Sequence, residues 1–500
     1  MKRRQFLLGG LAAPWLSAYA SLQNGKPLGW SDLRAALDGD LLLQDDAAFE
    51  THRKVFNTRF DDIRPSALAR CGTVEDVRAC LAFARRNRIP IHPRSGGHSY
   101  AGWSTGPGLV IDVSQMNEVR MDAGSTVATV GAGAQLIDVY DRLAAHGRTV
   151  PGGSCPTVGI AGFTLGGGIS MLGRAYGLGC DSLTQVELVT AAGDIVTCDA
   201  ERHPDLFWAC RGGGGGNFGI ATAFKFRTQP QRDITTVRLE WDWAFAPQVM
   251  KSWQKWGPSA PDEAFSICGL RADPTGPEPG VRINVIFLGD AAGLERLLGD
   301  LIRPVGAEPN RAVRTMEGLY AMRTLAGCPT VTIQQCHLTL VSEEGTVARQ
   351  AHVGKSAFFD KLLSDDAINA AIHHIERARA TPGLRQGSVL FDSLGGAVGR
   401  VRPDETAFVH RRALFSGQFL AYWEDNADGP TTERCKSWIR EFHSAMLAES
   451  TGGAYVNYTD PELLGWQRAY YGSNYERLVR VKAAYDPDWF FKLPQGIPVG

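Results

Sequence analysis

Glycine is the residue that most constrains this chain. Between residues 94 and 220 it is clustered at Gly96-Gly97, Gly152-Gly153, Gly166-Gly167-Gly168 and Gly212 through Gly216. Gly159, Gly162, Gly173, Gly177, Gly179 and Gly219 lie among these clusters. Flexible linkers are also glycine-rich, but they do not embed bulky apolar residues such as Phe163, Leu165, Met171, Leu172, Phe207, Trp208 and Phe218. These stretches are therefore folded loops. Glycine serves there because it tolerates positive φ and lets a backbone approach a ligand closely. Two loops each hold one reactive side chain. Arg94-Ser95-Gly96-Gly97-His98-Ser99 carries an imidazole, and Gly152-Gly153-Ser154-Cys155-Pro156-Thr157-Val158-Gly159 carries a thiol. If both loops close on one bound ring, His98 and Cys155 are its covalent anchors, since these nucleophiles suit bonding to a carbon of an oxidised redox cofactor.

Other uses of glycine are excluded. No G-x-x-x-x-G-K-S/T sequence occurs, and Gly166-Gly167-Gly168 lacks the strand-turn-helix setting of a dinucleotide fingerprint. The ten cysteines form neither a C-x-x-C pair nor a cluster at zinc spacing, so no metal site is expected and buried free thiols are. A net charge of -1 lacks the basic excess of a nucleic-acid binder. Small molecules are the expected partners.

Residues 1-20 read as an export signal of twin-arginine type. Arg3-Arg4 precedes an apolar run from Phe6 to Leu16, then Ala18-Tyr19-Ala20, an A-x-A cleavage pattern. Cleavage after Ala20 gives a periplasmic or secreted protein with no stable membrane anchor. The export machinery is then a transient partner, on a route that carries proteins already folded.

The rest reads as α+β. Short β runs alternate with amphipathic helices over residues 60-230. They include a Thr73-capped helix, strands Ile89-Pro90-Ile91-His92, Leu109 to Val113 and Thr126 to Val130, and a helix from Ala134 to His146. Residues 231-450 carry fewer glycines. Strands such as Val281 to Phe287 and Thr330 to Ile333, with helices near Ala244 to Gly257, Ala291 to Ile302 and Thr432 to Leu447, predict an antiparallel sheet covered on one face. Residues 451-500 are expected to return to the first unit.

The two loops join Asp205-Leu206-Phe207-Trp208-Ala209-Cys210-Arg211-Gly212-Gly213-Gly214, Asn217-Phe218-Gly219-Ile220 and the closing blocks Tyr455-Val456-Asn457-Tyr458-Thr459-Asp460, Tyr471-Gly472-Ser473-Asn474-Tyr475 and Asp486-Pro487-Asp488-Trp489-Phe490-Phe491. Together they resemble the berberine-bridge-enzyme-like branch of the vanillyl-alcohol-oxidase flavoproteins, over nearly the whole chain. The resemblance implies a two-part FAD-binding domain of PCMH type at 60-230, a substrate domain at 231-450 and a berberine-bridge-like C-terminal segment at 451-500. It implies FAD held in extended form, its 8α methyl bonded to His98 and its C6 to Cys155, as in the doubly linked members. Arg94, Ser95, Gly96, Gly97, Ser99, Val158, Gly159, Gly162, Gly219, Ile220 and Asn457 are then cofactor-binding. Main-chain N-H groups of Ser95, Gly96 and Gly97 are expected to cradle the pyrophosphate.

Reading Tyr455 to Tyr458 as a strand puts Val456 and Tyr458 on one face and Tyr455 and Asn457 on the other, so a single tyrosine faces the flavin. The resemblance selects Tyr458. Asp392, an acid in the apolar strand Leu390-Phe391-Asp392, needs a partner or a function to be buried. A carboxylate here resembles that of sugar-oxidising members. The expected reaction is oxidation of a sugar or oligosaccharide hydroxyl at Tyr458, with Asp392 assisting proton removal, hydride transfer to flavin N5, and molecular oxygen as acceptor giving hydrogen peroxide. Valine at Val158 favours oxygen access by the same resemblance. The alternatives are a dehydrogenase using another acceptor, an oxidase of phenolic or other secondary-metabolite alcohols, and a non-enzymatic flavin-binding protein. Ile169-Ser170 departs from the aromatic-glycine pair of many relatives, so an aromatic wall is missing. Trp241, Trp243, Trp253 and Trp256 are candidates to replace it.

Overall fold

A computed structural model of the chain describes residues 29-500, apart from 274, 275 and 277. The export-type segment lies outside the described residues. Among them, no helix is long and apolar enough to cross a membrane.

The first sheet holds β1 (Asp40–Leu43), β2 (Ala67–Arg70), β3 (Ile91–Arg94) and β4 (Leu109–Asp112), in the order β1-β2-β4-β3. Both β2 and β3 run parallel to β4, so a crossover must join them, and the helix Val74–Asn87 supplies it. Thr73 caps this helix reciprocally with Asp76, and Val77, Cys80, Leu81 and Ala84 form its buried face. β3 starts at Ile91 rather than Ile89. Pro90 has no N-H for the ladder, and its carbonyl accepts from the Leu109 N-H at 2.9 Å. The unit also reaches upstream of residue 60, since β1 pairs with β2 and Trp30 packs on Phe83 at 4.9 Å between ring centroids.

The second sheet is antiparallel and holds β5 (Val119–Met121), β6 (Val127–Gly131), β8 (Leu183–Val189), β9 (Ile195–Cys198) and β10 (Ile220–Arg227), in the order β5-β6-β10-β8-β9. The short strands β7 (Arg148–Thr149) and β11 (Gln229–Pro230) pair beside it.

The third sheet has seven antiparallel strands, β12 (Ile234–Trp241), β13 (Ala264–Ala272), β14 (Gly280–Phe287), β15 (Asn310–Met316), β16 (Ala351–Phe359), β17 (Leu384–Ser393) and β18 (Phe415–Trp423). Their order is β15-β12-β14-β13-β17-β18-β16. Helices Ala246–Ser259, Ala291–Ile302, Asp365–Arg379 and Gly429–Leu447 lie on one face. Val389, Phe391, Phe419 and Ala421 enter that helix-covered core. Strand alternation turns Leu390 and Asp392, with Ser416 and Gln418 beside them, to the other face.

Three sequence expectations change. Thr330 to Ile333 is not a strand. It lies among turns that lead to the 3-10 turn Gln334–Cys336, where the Cys328–Cys336 disulfide closes the segment on itself. The other cysteines are free, all buried except the half-buried Cys155. The tryptophans belong to the helix-covered side. The indole N-H groups of Trp241, Trp253 and Trp256 donate to Ala307 O, Ser266 Oγ and Leu297 O, and that of Trp243 donates to Glu376. Finally, Val456–Tyr458 is a 3-10 turn rather than a strand. Beyond it the chain returns to the first unit, where Lys482 Nζ donates to Asn217 O at 2.6 Å and Tyr471 Oη to Gly213 O at 3.1 Å.

Candidate active site

A cavity of about 500 Å³ lies between the glycine loops of the first unit and the open face of the third sheet. Ser95, Gly96, Gly97, His98 and Ser99 line it after β3, Cys155, Val158 and Gly159 line it from the second loop, and Gly162 lines it from the helix Ile160–Leu165 that follows. Gly219, Ile220, Asn457 and Tyr458 complete the group foreseen from sequence.

The two loops are joined main chain to main chain. A Cβ on Gly96 would lie 2.2 Å from the Gly159 nitrogen, and one on Gly159 would lie 2.2 Å from the Gly96 nitrogen. Any side chain at either position forces the loops apart. Ser95 Oγ donates to Ala132 O at 2.7 Å, and Tyr140 Oη donates to Gly153 O at 2.7 Å, so both loops are tied to the framework behind them. Arg94 also lines the cavity, but its guanidinium turns away. It donates to the carbonyls of Ser104, His52 and Arg53 and sits 3.7 Å from Asp112, leaving only its main chain for a ligand.

His98 and Cys155 come together on one hydroxyl. His98 Nε2 lies 2.8 Å from Thr157 Oγ1, and Cys155 Sγ lies 3.9 Å from the same oxygen. The imidazole stacks on Phe56 at 4.1 Å, and burial pushes its pKa down to about 3, so it is neutral. Burial pushes the Cys155 thiol up, against the hydrogen bonds of Thr157 and Val158. Thr157 lies within the second loop, between the thiol and Val158. It is fully buried, and its signal in the sequence is only its place between the thiol and Gly159.

Both closing tyrosines line the cavity, because the 3-10 turn does not alternate as a strand does. Their hydroxyls differ in what they meet. Tyr455 Oη accepts from the N-H groups of Gly168 and Ile169 at 2.9 and 3.1 Å and from Asn457 Nδ2 at 2.9 Å. Tyr458 Oη has no hydrogen bond among the described residues. Its ring stacks on Tyr100 at 5.2 Å and meets Tyr455 edge-on at 4.9 Å. Burial, then the Asp392 charge, raises the Tyr458 pKa well above the usual phenol value.

Asp392 is 7% exposed and does not line the cavity. It stands in the layer behind Tyr458 and Tyr100, where its charge raises both phenols. Its carboxyl has one hydrogen bond, from Ser416 Oγ at 3.3 Å, and burial raises its pKa to about 7. Sequence reasoning also missed Tyr100, Trp103, Gln418, Tyr422 and His352, which line the cavity. Gln418 Nε2 donates to Tyr100 Oη at 2.6 Å. The aromatics among them, not the four tryptophans, share the cavity lining with Ile169. They come from separate elements, which no local pattern links.

The cavity fits a large bound cofactor. Nothing lies within 4 Å of a Cβ built on Gly162, so the space before that residue is open. Ser104 lines the cavity with a buried hydroxyl that has no partner among the described residues, an acceptor or donor placed for a ligand. Among the described residues no group of His, Cys, Asp or Glu could hold a metal ion.

The family described as "FAD binding domain" matches residues 65–199, and the one described as "Berberine and berberine like" matches residues 454–498. The chain is 35% identical over 472 residues to an uncharacterized FAD-linked oxidoreductase, YgaK, of Bacillus subtilis, covering 93% of this chain and 98% of that one. It is 29% identical over 471 residues to the xylooligosaccharide oxidase of Thermothelomyces thermophilus, covering 90% of each. The solved structure of Physcomitrella patens BBE-like 1 superposes with a TM-score of 0.85 at 30% identity, over 95% of this chain and 100% of that one.

Proposed function

Because the chain belongs to the berberine-bridge-like FAD-linked oxidoreductases, we propose that it oxidises a hydroxyl carbon of a sugar or oligosaccharide and passes the electrons to molecular oxygen. The observation that carries this reading is the pairing of Tyr458, whose hydroxyl is free at the cavity, with the buried Asp392 behind it. His98 and Cys155 would hold the flavin by two covalent bonds, at 8α and C6, with the glycine loops against its phosphates. When bound, FAD supplies the acceptor for the hydride and delivers the electrons to oxygen, giving hydrogen peroxide.

The chain's own residues do the rest. Tyr458 Oη receives the substrate hydroxyl, because no protein group competes for it. Tyr455 cannot do this, since three donors already occupy its oxygen. A phenol held above its usual pKa is a poor base at neutral pH, so Tyr458 orients the hydroxyl. Asp392 assists proton removal from the layer outside the cavity lining, its pKa of about 7 suiting an acceptor at neutral pH. Tyr100, Trp103 and Tyr422 provide ring faces for a sugar. The xylooligosaccharide oxidase relative supports this substrate class, and Val158 on the cavity wall supports oxygen access. We also propose export, with loss of residues 1-20, which the mass of the mature protein tests.

The decisive experiment screens sugars, oligosaccharides and phenolic alcohols for peroxide release by the purified yellow protein. Turnover of phenols alone would overturn the substrate class. Turnover with a dye but not with oxygen would make the protein a dehydrogenase.

A further inference from the structure

The two proposed anchors share one hydroxyl, and a hydroxyl has one proton to give. The geometry points to Thr157 as the positioning residue that sets both flavin anchors for attachment, by accepting from His98 Nε2 and donating to Cys155 Sγ. The inference rests on the double-attachment reading and adds the device that would make it work.

Two polarities are possible at Thr157 Oγ1. In one, His98 Nε2-H donates to the oxygen across 2.8 Å and the hydroxyl proton turns to Cys155 Sγ across 3.9 Å. Nδ1, which has no hydrogen bond among the described residues, then keeps its lone pair, and the sulfur gains a donor that favours thiolate. In the other, the hydroxyl donates to Nε2, Nδ1 carries the proton, and the thiol keeps its own. Only the first presents two nucleophiles, and it presents both together. Phe56 stacked on the imidazole fixes the ring plane, so the tautomer is left to Thr157.

Each attachment balances with oxygen as the oxidant. A bond forms between His98 Nδ1 and the 8α carbon, which loses one hydrogen while the imidazole loses its proton. The two electrons and two protons leave as hydrogen peroxide at the expense of one oxygen molecule. Bonding of Cys155 Sγ to C6 follows the same accounting, with the thiol proton and the C6 hydrogen lost.

The test compares wild type, Thr157→Val and Thr157→Ser as full-length proteins. Flavin-bearing peptides are measured by mass after acid denaturation, with thermal melting as the control for folding. Valine keeps the shape and removes the hydroxyl, and serine keeps the hydroxyl. Thr157→Val is expected to lower occupancy of both the His98 and the Cys155 bonds by about two- to tenfold, as the loss of a neutral hydrogen bond implies. Thr157→Ser restores both. Full occupancy of either bond in a folded Thr157→Val protein overturns the inference. Loss of both bonds in Thr157→Ser overturns it as well, because the methyl rather than the hydroxyl would then matter. If wild type itself carries no covalent flavin, or one bond, the double-attachment reading fails instead.

Discussion

At the scale of single residues, the division of the proton chemistry proposed for Tyr458 and Asp392 rests on their surroundings. Asp392 is buried and Tyr458 half-buried, but a phenol starts near 10 and is driven further up, while a carboxyl starts near 4 and is driven to about 7. Tyr458→Phe removes the hydroxyl proposed to orient the substrate and is expected to lower kcat/KM by about 10²-fold, with flavin loading unchanged. Steady-state kinetics with the best substrate and the visible flavin spectrum check both parts. Asp392 is active when deprotonated, so kcat/KM rises with pH through about 7 in the wild type. Asp392→Asn should lose that limb of the profile, and persistence of the same limb would assign it to another group. Tyr458 and Asp392 are candidates from sequence, but the proposed division of labour is not legible there, because it depends on burial and on Ser416 from a neighbouring strand.

Elements show where local pattern stops being a guide. Tyr455-Val456-Asn457-Tyr458 has the β-branched and aromatic content of a strand, yet it forms a 3-10 turn without a strand partner. That turn brings both tyrosines to the cavity. Helix Ala246–Ser259 turns Trp253 to the sheet and Trp256 to the helix Ala291–Ile302, since the wide apolar stripe of a surface helix is spent on its core. Two glycines at the cavity, Gly96 in the first loop and Gly162 in the helix Ile160–Leu165, make opposite predictions. Gly96→Ala drives a methyl into the Gly159 backbone and should destabilise the fold by several kcal/mol, about 1–3 from overpacking alone, read as a lower urea midpoint. Gly162→Leu enters open space, so the protein should fold normally but bind little flavin. Recovery of a colourless, cooperatively melting Gly162→Leu protein is the expected result, and a fully yellow one would place the cofactor elsewhere.

Across the whole molecule, the cavity exists because the first unit and the third sheet are clamped together. Arg174 donates to the carbonyls of Leu394, Ala260 and Pro258, gripping the end of β17 two residues beyond Asp392. Arg411 reaches Asp181 with two hydrogen bonds of 2.7 Å while wholly buried. Arg411→Met strands the Asp181 carboxylate and is expected to cost about 3–5 kcal/mol, measurable by urea unfolding. Stability should also fall in acid. His352 and His410 are pushed down to about 4 by burial. The unfolded chain therefore takes up protons first, and stability held above about pH 6.5 is lost toward 4. Asp392 acts in the opposite sense, since its raised pKa favours the folded state below about 7, but one carboxyl is outweighed by the histidines. Melting temperatures between pH 7 and 4 test the sign. By itself the sequence determined the glycine loops, their two nucleophiles, the helix periods and the one-face sheet, because each is written in a local window of residue types. The tertiary structure decided that Thr157 joins the nucleophiles, that Tyr100, Trp103 and Tyr422 rather than the tryptophans face the cavity, and that Asp392 stands behind Tyr458. Those are contacts between elements far apart in the chain, and only packing brings them within reach.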